Sequence, residues 1–343
     1  MAEAVRELIQ NALDSDSPFV YEFDPEQPDC YTLRLNSEFA KLEPHTLLLG
    51  STSKADNADA IGSFGEGFKI ALLVLTRMGY DTEIHNGSLL WKPRFRHNRT
   101  FGTELLVVEE TTLPNKRNRG LTFLVRGLSV SDVDAVRASC LRMQDDIGAI
   151  RQTQYGDILL DRKGELYVGG LRICETEYEF GYNIRPEFIR LERDRQTVAS
   201  WDLGVLTRDM WYDTEDWDRV TELMESGSVD LRLSEYHSPE KVKDACYKHF
   251  RSKNPGAVVA KNQEELEELV RRGMTEVRVV SGPYYSAVSS SRGYREERPE
   301  IHLKLSPTAI LENWLKNNRA EMRTKAIQSF KKDLLSVSAK WKT

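Results

Sequence analysis

Two neighbouring stretches, residues 50–54 (GSTSK) and 62–69 (GSFGEGFK), decide the fold of this 343-residue chain. The second stretch has three glycines at G-x-x-G-x-G spacing and runs into an apolar segment that predicts a helix from Phe68 to about Met78. Glycines let backbone N–H groups approach phosphate oxygens, and the N-terminus of a following helix adds a favourable partial charge. We therefore expect a phosphate-binding loop that leads into a helix.

A predicted helix at the start of the chain carries an acid and an amide on one side. Residues 7–14 (ELIQNALD) place Glu7, Asn11 and Asp14 along this side. Residues four apart on a helix are neighbours, so Glu7 and Asn11 point the same way. A nucleotide–Mg²⁺ site needs such a carboxylate and amide beside a glycine loop. The competing interpretation is the hydrated face of an ordinary amphipathic helix.

In these motifs and their order, the chain resembles the GHKL ATPases, the superfamily of gyrase, heat-shock-90-type chaperones, histidine kinases and MutL. The nucleotide site of that superfamily is the Bergerat fold. The resemblance implies that Glu7 orients or deprotonates the attacking water, that Asn11 ligates Mg²⁺, and that Asp14 lies on the same binding side. It places a lid, most similar to that of MutL-type members, around the phosphates of ATP. The lid residues are Thr52, Ser53, Lys54, Gly62, Gly65, Glu66, Gly67, Phe68 and Lys69.

Two predicted strands carry the candidate contacts to the base. Residues 120–128 (GLTFLVRGL) resemble the final strand motif of the superfamily, which implies that Thr122 reaches toward the adenine. Residues 31–40 (YTLRLNSEFA) stand where the superfamily has D-x-G-x-G, and they offer Asn36 but no glycine. An asparagine accepts a hydrogen bond through its carbonyl oxygen but also donates. We expect Asn36 to contact the base, with weaker or altered base recognition.

A basic residue from the second domain of GHKL proteins reaches back to the γ-phosphate. Arg193 and Arg195 are the candidates for this role in the present chain. A guanidinium can bridge two phosphate oxygens, so either residue would report hydrolysis to the second domain. The alternative is a surface charge cluster in which both arginines pair with Glu192 and Asp194.

Three segments are predicted along the chain. Residues 1–128 form the ATP-binding domain, an α+β sandwich with helices on one face of a mixed, mostly antiparallel sheet. Residues 129–235 form a transducer-like α/β segment, and residues 236–343 form a small α/β domain. Strand-like runs in the first segment cover residues 81–85, 88–95, 103–109 and 120–126, with a hairpin turn signal at Asn86 and Gly87.

The third segment is predicted to end in a long basic helix. Ser306 and Pro307 supply its N-cap and its first-turn proline. Before it, residues 286–298 contain four serines and one glycine and predict a mobile loop.

Composition limits the class of protein. The chain is 40% apolar and 30% charged, as is usual for a globular protein, and its formal net charge of −6 gives no overall attraction to nucleic acid. Four scattered cysteines lack C-x-x-C spacing, so they imply neither a zinc site nor a disulfide framework. No apolar run approaches the roughly 18 residues of a membrane span. Together these features predict a cytoplasmic protein with no membrane partner.

Local basic runs leave non-specific DNA open as a partner. They comprise the terminal helix, residues 116–119 (KRNR), and the side chains Lys92, Arg94, Arg96 and Arg99 of the predicted hairpin. Such runs contact phosphates in some proteins and are solvated faces in most.

Two functions remain open at this stage. The first is a Mg²⁺-dependent, slow ATPase that acts as a conformational switch through a homodimer or a protein partner, in a DNA-linked or phage–host process. The second is a module that binds ATP without hydrolysing it and serves as a scaffold for protein or DNA partners. Glu7 favours the first function, whereas Asn36 in place of an aspartate leaves room for the second.

Overall fold

A computed structural model describes residues 1–13, 17–47, 67–114, 120–190, 200–272, 274–297 and 322–340, together with 311, 314–315 and 318–319. These residues form a mixed α+β protein in which helices accompany largely antiparallel sheets. The predicted fold class is confirmed. The chain divides into two compact units, Met1–Leu203 and Gly204–Thr343.

A six-stranded sheet with helices on one face forms the first part of the first unit. The sheet has the order β1-β2-β6-β3-β4-β5, and all neighbouring strands are antiparallel. Its strands are β1 (Phe19–Gln27), β2 (Cys30–Ser37), β3 (Asp81–Asn86), β4 (Leu89–Asn98), β5 (Thr103–Thr112) and β6 (Leu121–Leu128), and its helices are α1 (Ala2–Leu13), α2 (Gly67–Arg77) and α3 (Val130–Ala138).

Alternation along the strands decides which side of this sheet the helices cover. Leu33 and Leu35 of β2 lie in one apolar core with Leu8 of α1 and Phe123 of β6. Successive side chains on a strand point to opposite faces. The even-numbered positions between Leu33 and Ser37 therefore face away from α1.

Gly120 sets the entry into β6. Its φ is +133°, and a Cβ at this position would lie 2.3 Å from the backbone oxygen of Ser37. Only glycine adopts such a backbone conformation at low cost. The close approach holds the start of β6 against the end of β2.

A five-stranded sheet completes the first unit, with the order β10-β9-β11-β8-β7. Its β9 and β11 are parallel, and the other neighbouring pairs are antiparallel. The strands are β7 (Ile150–Thr153), β8 (Gly156–Leu159), β9 (Glu165–Val168), β10 (Leu171–Glu175) and β11 (Gly181–Ile184).

The second unit is mainly helical. A two-stranded parallel sheet, β12 with β13, lies among its helices. Short 3₁₀ helices occur at Pro44–Leu47, Leu141–Met143, Pro186–Phe188 and, in the second unit, Val229–Glu235. From Ser200 onward the elements are α4 (Ser200–Asp213), α5 (Trp217–Ser226), α6 (Glu240–Lys253), β12 (Val258–Ala260), α7 (Gln263–Arg271), β13 (Val277–Val279), α8 (Gly282–Ser290), α9 (Arg292–Glu297) and α10 (Thr324–Lys340).

Two local predictions for the last segment are wrong. Residues 286–290 belong to α8 and residues 292–297 to α9, so the segment is helical apart from Ser291, and the Ser281 hydroxyl caps α8 by accepting a hydrogen bond from Tyr284 N–H. The terminal helix is not continuous from Ser306, since Met322 and Arg323 are not helical and α10 begins only at Thr324. Ser306 and Pro307 themselves lie outside the described residues.

Candidate functional site

Helix α1 presents Glu7 and Asn11 beside its buried stripe. Leu8 and Ile9 are completely buried in the core, and Glu7 next to them keeps 15% of its side chain exposed. Asn11, one turn further on, is also partly exposed. The carboxylate and the amide therefore lie on one helix, at the border of the core. Asp14 lies outside the described residues.

Helix α2 begins at Gly67, the last glycine of the predicted lid. Phe68 and Lys69 in its first turn are buried, and the Lys69 ammonium lies 5.9 Å from the centre of the Phe68 ring. α2 packs directly on α1. The helix that follows the predicted lid and the helix that carries Glu7 therefore lie side by side in the first unit. The remaining lid residues, Thr52, Ser53, Lys54, Gly62, Gly65 and Glu66, lie outside the described part of the chain.

Asn36 and Thr122 are paired with each other. They are directly opposite in the register of β2 and β6, and the Thr122 hydroxyl donates to Asn36 Oδ1 over 2.8 Å. His85 of β3 is the residue paired with Thr122 on the other side of β6. The two residues that were predicted to approach the base therefore contact each other across β2 and β6.

These two residues face away from the helices. Leu35 and Phe123, the adjacent residues of the two strands, belong to the core with α1, so Asn36 and Thr122 point to the opposite face. The structure does not bring them together with Glu7 and Asn11. A base contact from Asn36 or Thr122 would require the nucleotide to reach the other side of the sheet.

Ser37, at the end of β2, was not among the residues predicted for the site. It is paired with Leu121 and is 3% exposed, and by alternation it lies on the helix side at the end of β2. The buried Leu33 and Leu35 already carried the signal, since a residue two positions further along the strand shares their face.

The hairpin cations that were candidates for DNA contact have carboxylate partners. Lys92 pairs with Glu83, whereas Arg94 and Arg96 both pair with Glu109. Two carboxylates thus offset part of the charge of these three cations, and Arg94 and Arg96 remain more than half exposed. Arg99 is exposed. Residues 116–119 and both predicted phosphate sensors, Arg193 and Arg195, lie outside the described residues.

The described part of the chain contains no cluster of three or more His, Cys, Asp or Glu side chains that could hold a metal ion. None of the helices described there combines the length and the apolar character that a membrane crossing requires.

Comparison with known proteins gives one distant relative. No family model matches the chain. A protein of Mycoplasma pneumoniae, described as an uncharacterized protein, is 26% identical over 214 residues, which cover 58% of this chain and 85% of the relative. This similarity assigns no activity.

Proposed function

We propose that this chain binds ATP with Mg²⁺ and hydrolyses it slowly, so that its nucleotide state switches its conformation. In this proposal, Glu7 positions and deprotonates the attacking water. Asn11 would hold Mg²⁺, and the ion would supply positive charge that offsets the charge developing on the phosphates. The predicted lid, which ends at Gly67, surrounds the phosphates with backbone N–H groups.

One observation carries the proposal: α1, with Glu7 and Asn11 beside its buried stripe, packs on α2, whose first residue is a lid glycine. A helix that follows a glycine loop offers N–H donors and positive partial charge to an anion. A carboxylate and an amide on the adjacent helix supply the groups that a water molecule and a magnesium ion need. Their juxtaposition on one face of the sheet supports a triphosphate site there.

The same arrangement supports a modified base contact. The helix-side position at the end of β2 is Ser37, whose hydroxyl both donates and accepts hydrogen bonds. In the proposed site Ser37 takes the contact to the base, and Asn36 with Thr122 supports the sheet from its other face.

In this proposal the switch acts on a second copy of the chain or on another protein, and DNA is the less favoured partner. Lys92, Arg94 and Arg96 already have carboxylate partners, which weakens the case for DNA contact at this hairpin. A DNA-linked role draws on the similarity of the lid to MutL-type members and on the other basic runs. Binding of short duplex DNA that falls steeply between low and moderate salt would restore DNA as a partner.

Calorimetry and phosphate release test the nucleotide site directly. We expect the wild type to bind MgATP and release phosphate slowly, and Glu7→Ala to bind MgATP with little change but to release none. Asn11→Ala should lose the magnesium dependence of binding. Asp134→Ala removes an exposed carboxylate from the neighbouring helix α3 and should change neither measurement.

The outcomes separate the two functions. Folded wild-type protein that takes up no purine triphosphate in the presence of magnesium would refute the proposal. Binding without any phosphate release would instead establish the non-hydrolysing scaffold.

A further inference from the structure

A buried arginine connects the proposed nucleotide helix to the second sheet. Arg6 of α1 is only 4% exposed. Its Nη1 donates to the backbone oxygen of Arg172 in β10 over 3.0 Å, and its Nη2 lies 3.4 Å from Glu7 Oε1. A single planar guanidinium therefore joins the Glu7 carboxylate to a strand that lies more than 160 residues further along the chain.

The strand at the other end of this connection is firmly held. Leu171, at the start of β10, is completely buried in the same core as α1. Arg172 N–H donates to the Ser139 oxygen over 2.9 Å, and Leu171 forms a β-bridge with Cys140. The Arg172 carbonyl group, which accepts the hydrogen bond from Arg6, therefore has a fixed position. β10 also pairs with β9 in the second sheet.

Arg6 has two carboxylate neighbours of different character. Glu3 lies 3.2 Å from Arg6 Nε but is 72% exposed, so water screens this pair, whereas Glu7 is 15% exposed. A buried ion pair adds little to stability compared with an apolar residue of similar size. Stability alone therefore does not explain why a charged Arg6 is buried here, whereas a role in positioning Glu7 does.

We propose that Arg6 is a positioning residue that aims the Glu7 carboxylate and transmits the nucleotide state of the site to β10. This inference rests on the proposed ATPase function. When MgATP and the attacking water occupy the site, Glu7 gains new partners. Any shift of the Glu7 carboxylate then moves the Arg6 guanidinium and alters its hydrogen bond to the Arg172 oxygen.

The variant Arg6→Lys separates this role from simple charge. An ammonium keeps the positive charge but lacks the planar fork that reaches two acceptors at fixed angles. We expect kcat to fall roughly tenfold because Glu7 is less well aimed, while the dissociation constant for MgATP stays within about twofold. Arg172→Ala is the matched control, since it removes the side chain that pairs with Glu175 but keeps the backbone oxygen that accepts from Arg6.

Hydrogen exchange gives a readout that a purely structural role would not change. In the wild type, a non-hydrolysable ATP analogue with Mg²⁺ should slow amide exchange in β10 (Leu171–Glu175) at least threefold. In Arg6→Lys the analogue should bind but leave β10 exchange unchanged, and in Arg172→Ala the slowing should persist. Thermal unfolding of each variant checks that it is folded.

Each outcome decides a different point. A wild type that binds the analogue without any change in β10 overturns the coupling even if Arg6→Lys does not fold. A folded Arg6→Lys with wild-type kcat and wild-type β10 slowing overturns it as well, and leaves the ATPase proposal intact. Failure of the wild type to bind any nucleotide overturns the ATPase proposal and this inference with it.

Discussion

Glu83 of β3 shows how one side chain makes the fold sensitive to acid. It is buried on the sheet face opposite the helices, where Arg126, Lys92 and His85 surround it. Burial alone would raise the pKa of Glu83, but hydrogen bonds from Arg126, Lys92 and His85 outweigh burial and lower this pKa to about 2. The ionised carboxylate is therefore the form that the folded state favours.

We expect Glu83→Gln to destabilise the protein at pH 7 by about 3 kcal/mol, since each unit of pKa shift is about 1.4 kcal/mol. The pKa is lower in the folded state than in the unfolded state. The wild type therefore has this stabilisation above about pH 4.5 and loses it as the pH falls toward 2. Urea unfolding at a series of pH values should show that the difference in unfolding free energy between wild type and Glu83→Gln becomes smaller as the pH falls over that range.

The neighbouring Asp81 provides the control for this measurement. It pairs with the same Arg126, but its side chain is 59% exposed. Exposed pairs contribute at most about 1 kcal/mol, so Asp81→Asn should have a small effect. A stability difference for Glu83→Gln that does not depend on pH would contradict the assignment.

At the scale of elements, periodicity and turn chemistry predicted most of the first sheet. The runs at residues 81–85, 88–95, 103–109 and 120–126 correspond to β3, β4, β5 and β6, and Asn86 and Gly87 lie at the turn between β3 and β4. β4 alternates apolar and polar residues from Trp91 to Arg96, and the Asn-Gly turn marks its start, which are strong local signals of a half-buried strand in a hairpin. β1 also alternates over residues 21–24, but Pro25 in its second half argues against a strand, and β1 was not predicted.

Serine-rich segments show a second limit of sequence reasoning. The predicted loop at residues 286–298 contains much of α8 and all of α9. Ser290 Oγ, for example, donates to the Ser286 oxygen over 2.6 Å, within the helix. A serine hydroxyl bonds to nearby backbone groups in turns as well as in helices, and the sequence does not state which of the two occurs.

Strand alternation decides which residue at the end of β2 lies on the helix side of the sheet. A shift of one residue along a strand moves a side chain to the other side of the sheet. Asn36, the amide closest in chemistry to an aspartate, faces away from α1, whereas Ser37 lies on the face that α1 covers. The sequence alone left open which face the helices would cover, so the contact to the base stays a prediction for both positions.

Substitutions at these two positions test the assignment. Ser37→Val adds bulk and removes a hydroxyl on the helix side, so we expect it to weaken MgATP binding roughly tenfold. Asn36→Ala should leave the affinity unchanged and lower the unfolding free energy by about 1 kcal/mol, through loss of the hydrogen bond from Thr122. Calorimetry and urea unfolding of both variants measure these effects. The reverse pattern, in which only Asn36→Ala weakens binding, would return the base contact to Asn36.

On the scale of the whole molecule, the division into units differs from the predicted segments. The predicted boundary at 128 matches the change from the first sheet to the second, but both sheets belong to one unit. The predicted boundary at 235 falls inside the second unit. There Tyr212 Oη lies 3.1 Å from Ser238 Oγ, Ser286 Oγ donates to the Glu235 oxygen, and α5 packs on α6. These long-range contacts leave no trace in local composition.

This division predicts which part of the chain carries nucleotide binding. Glu7, Asn11, Ser37 and Gly67 all lie in the unit Met1–Leu203, which has an apolar core of its own built from α1, α2, α3 and the first sheet. A chain that ends at residue 199, before α4 begins, should therefore fold and bind MgATP with the affinity of the full-length protein. Near-ultraviolet circular dichroism checks folding, and calorimetry measures the affinity.

The same truncated chain with Asn11→Ala provides the control, because it should fold equally well and lose the magnesium-dependent part of binding. Turnover of the truncated chain is the more informative quantity. If the second unit supplies no group to the reaction, phosphate release persists at the full-length rate. If release stops while binding remains, the hydrolytic step needs residues beyond 199. A truncated chain that is folded but binds no MgATP would show that the first unit alone does not form the site.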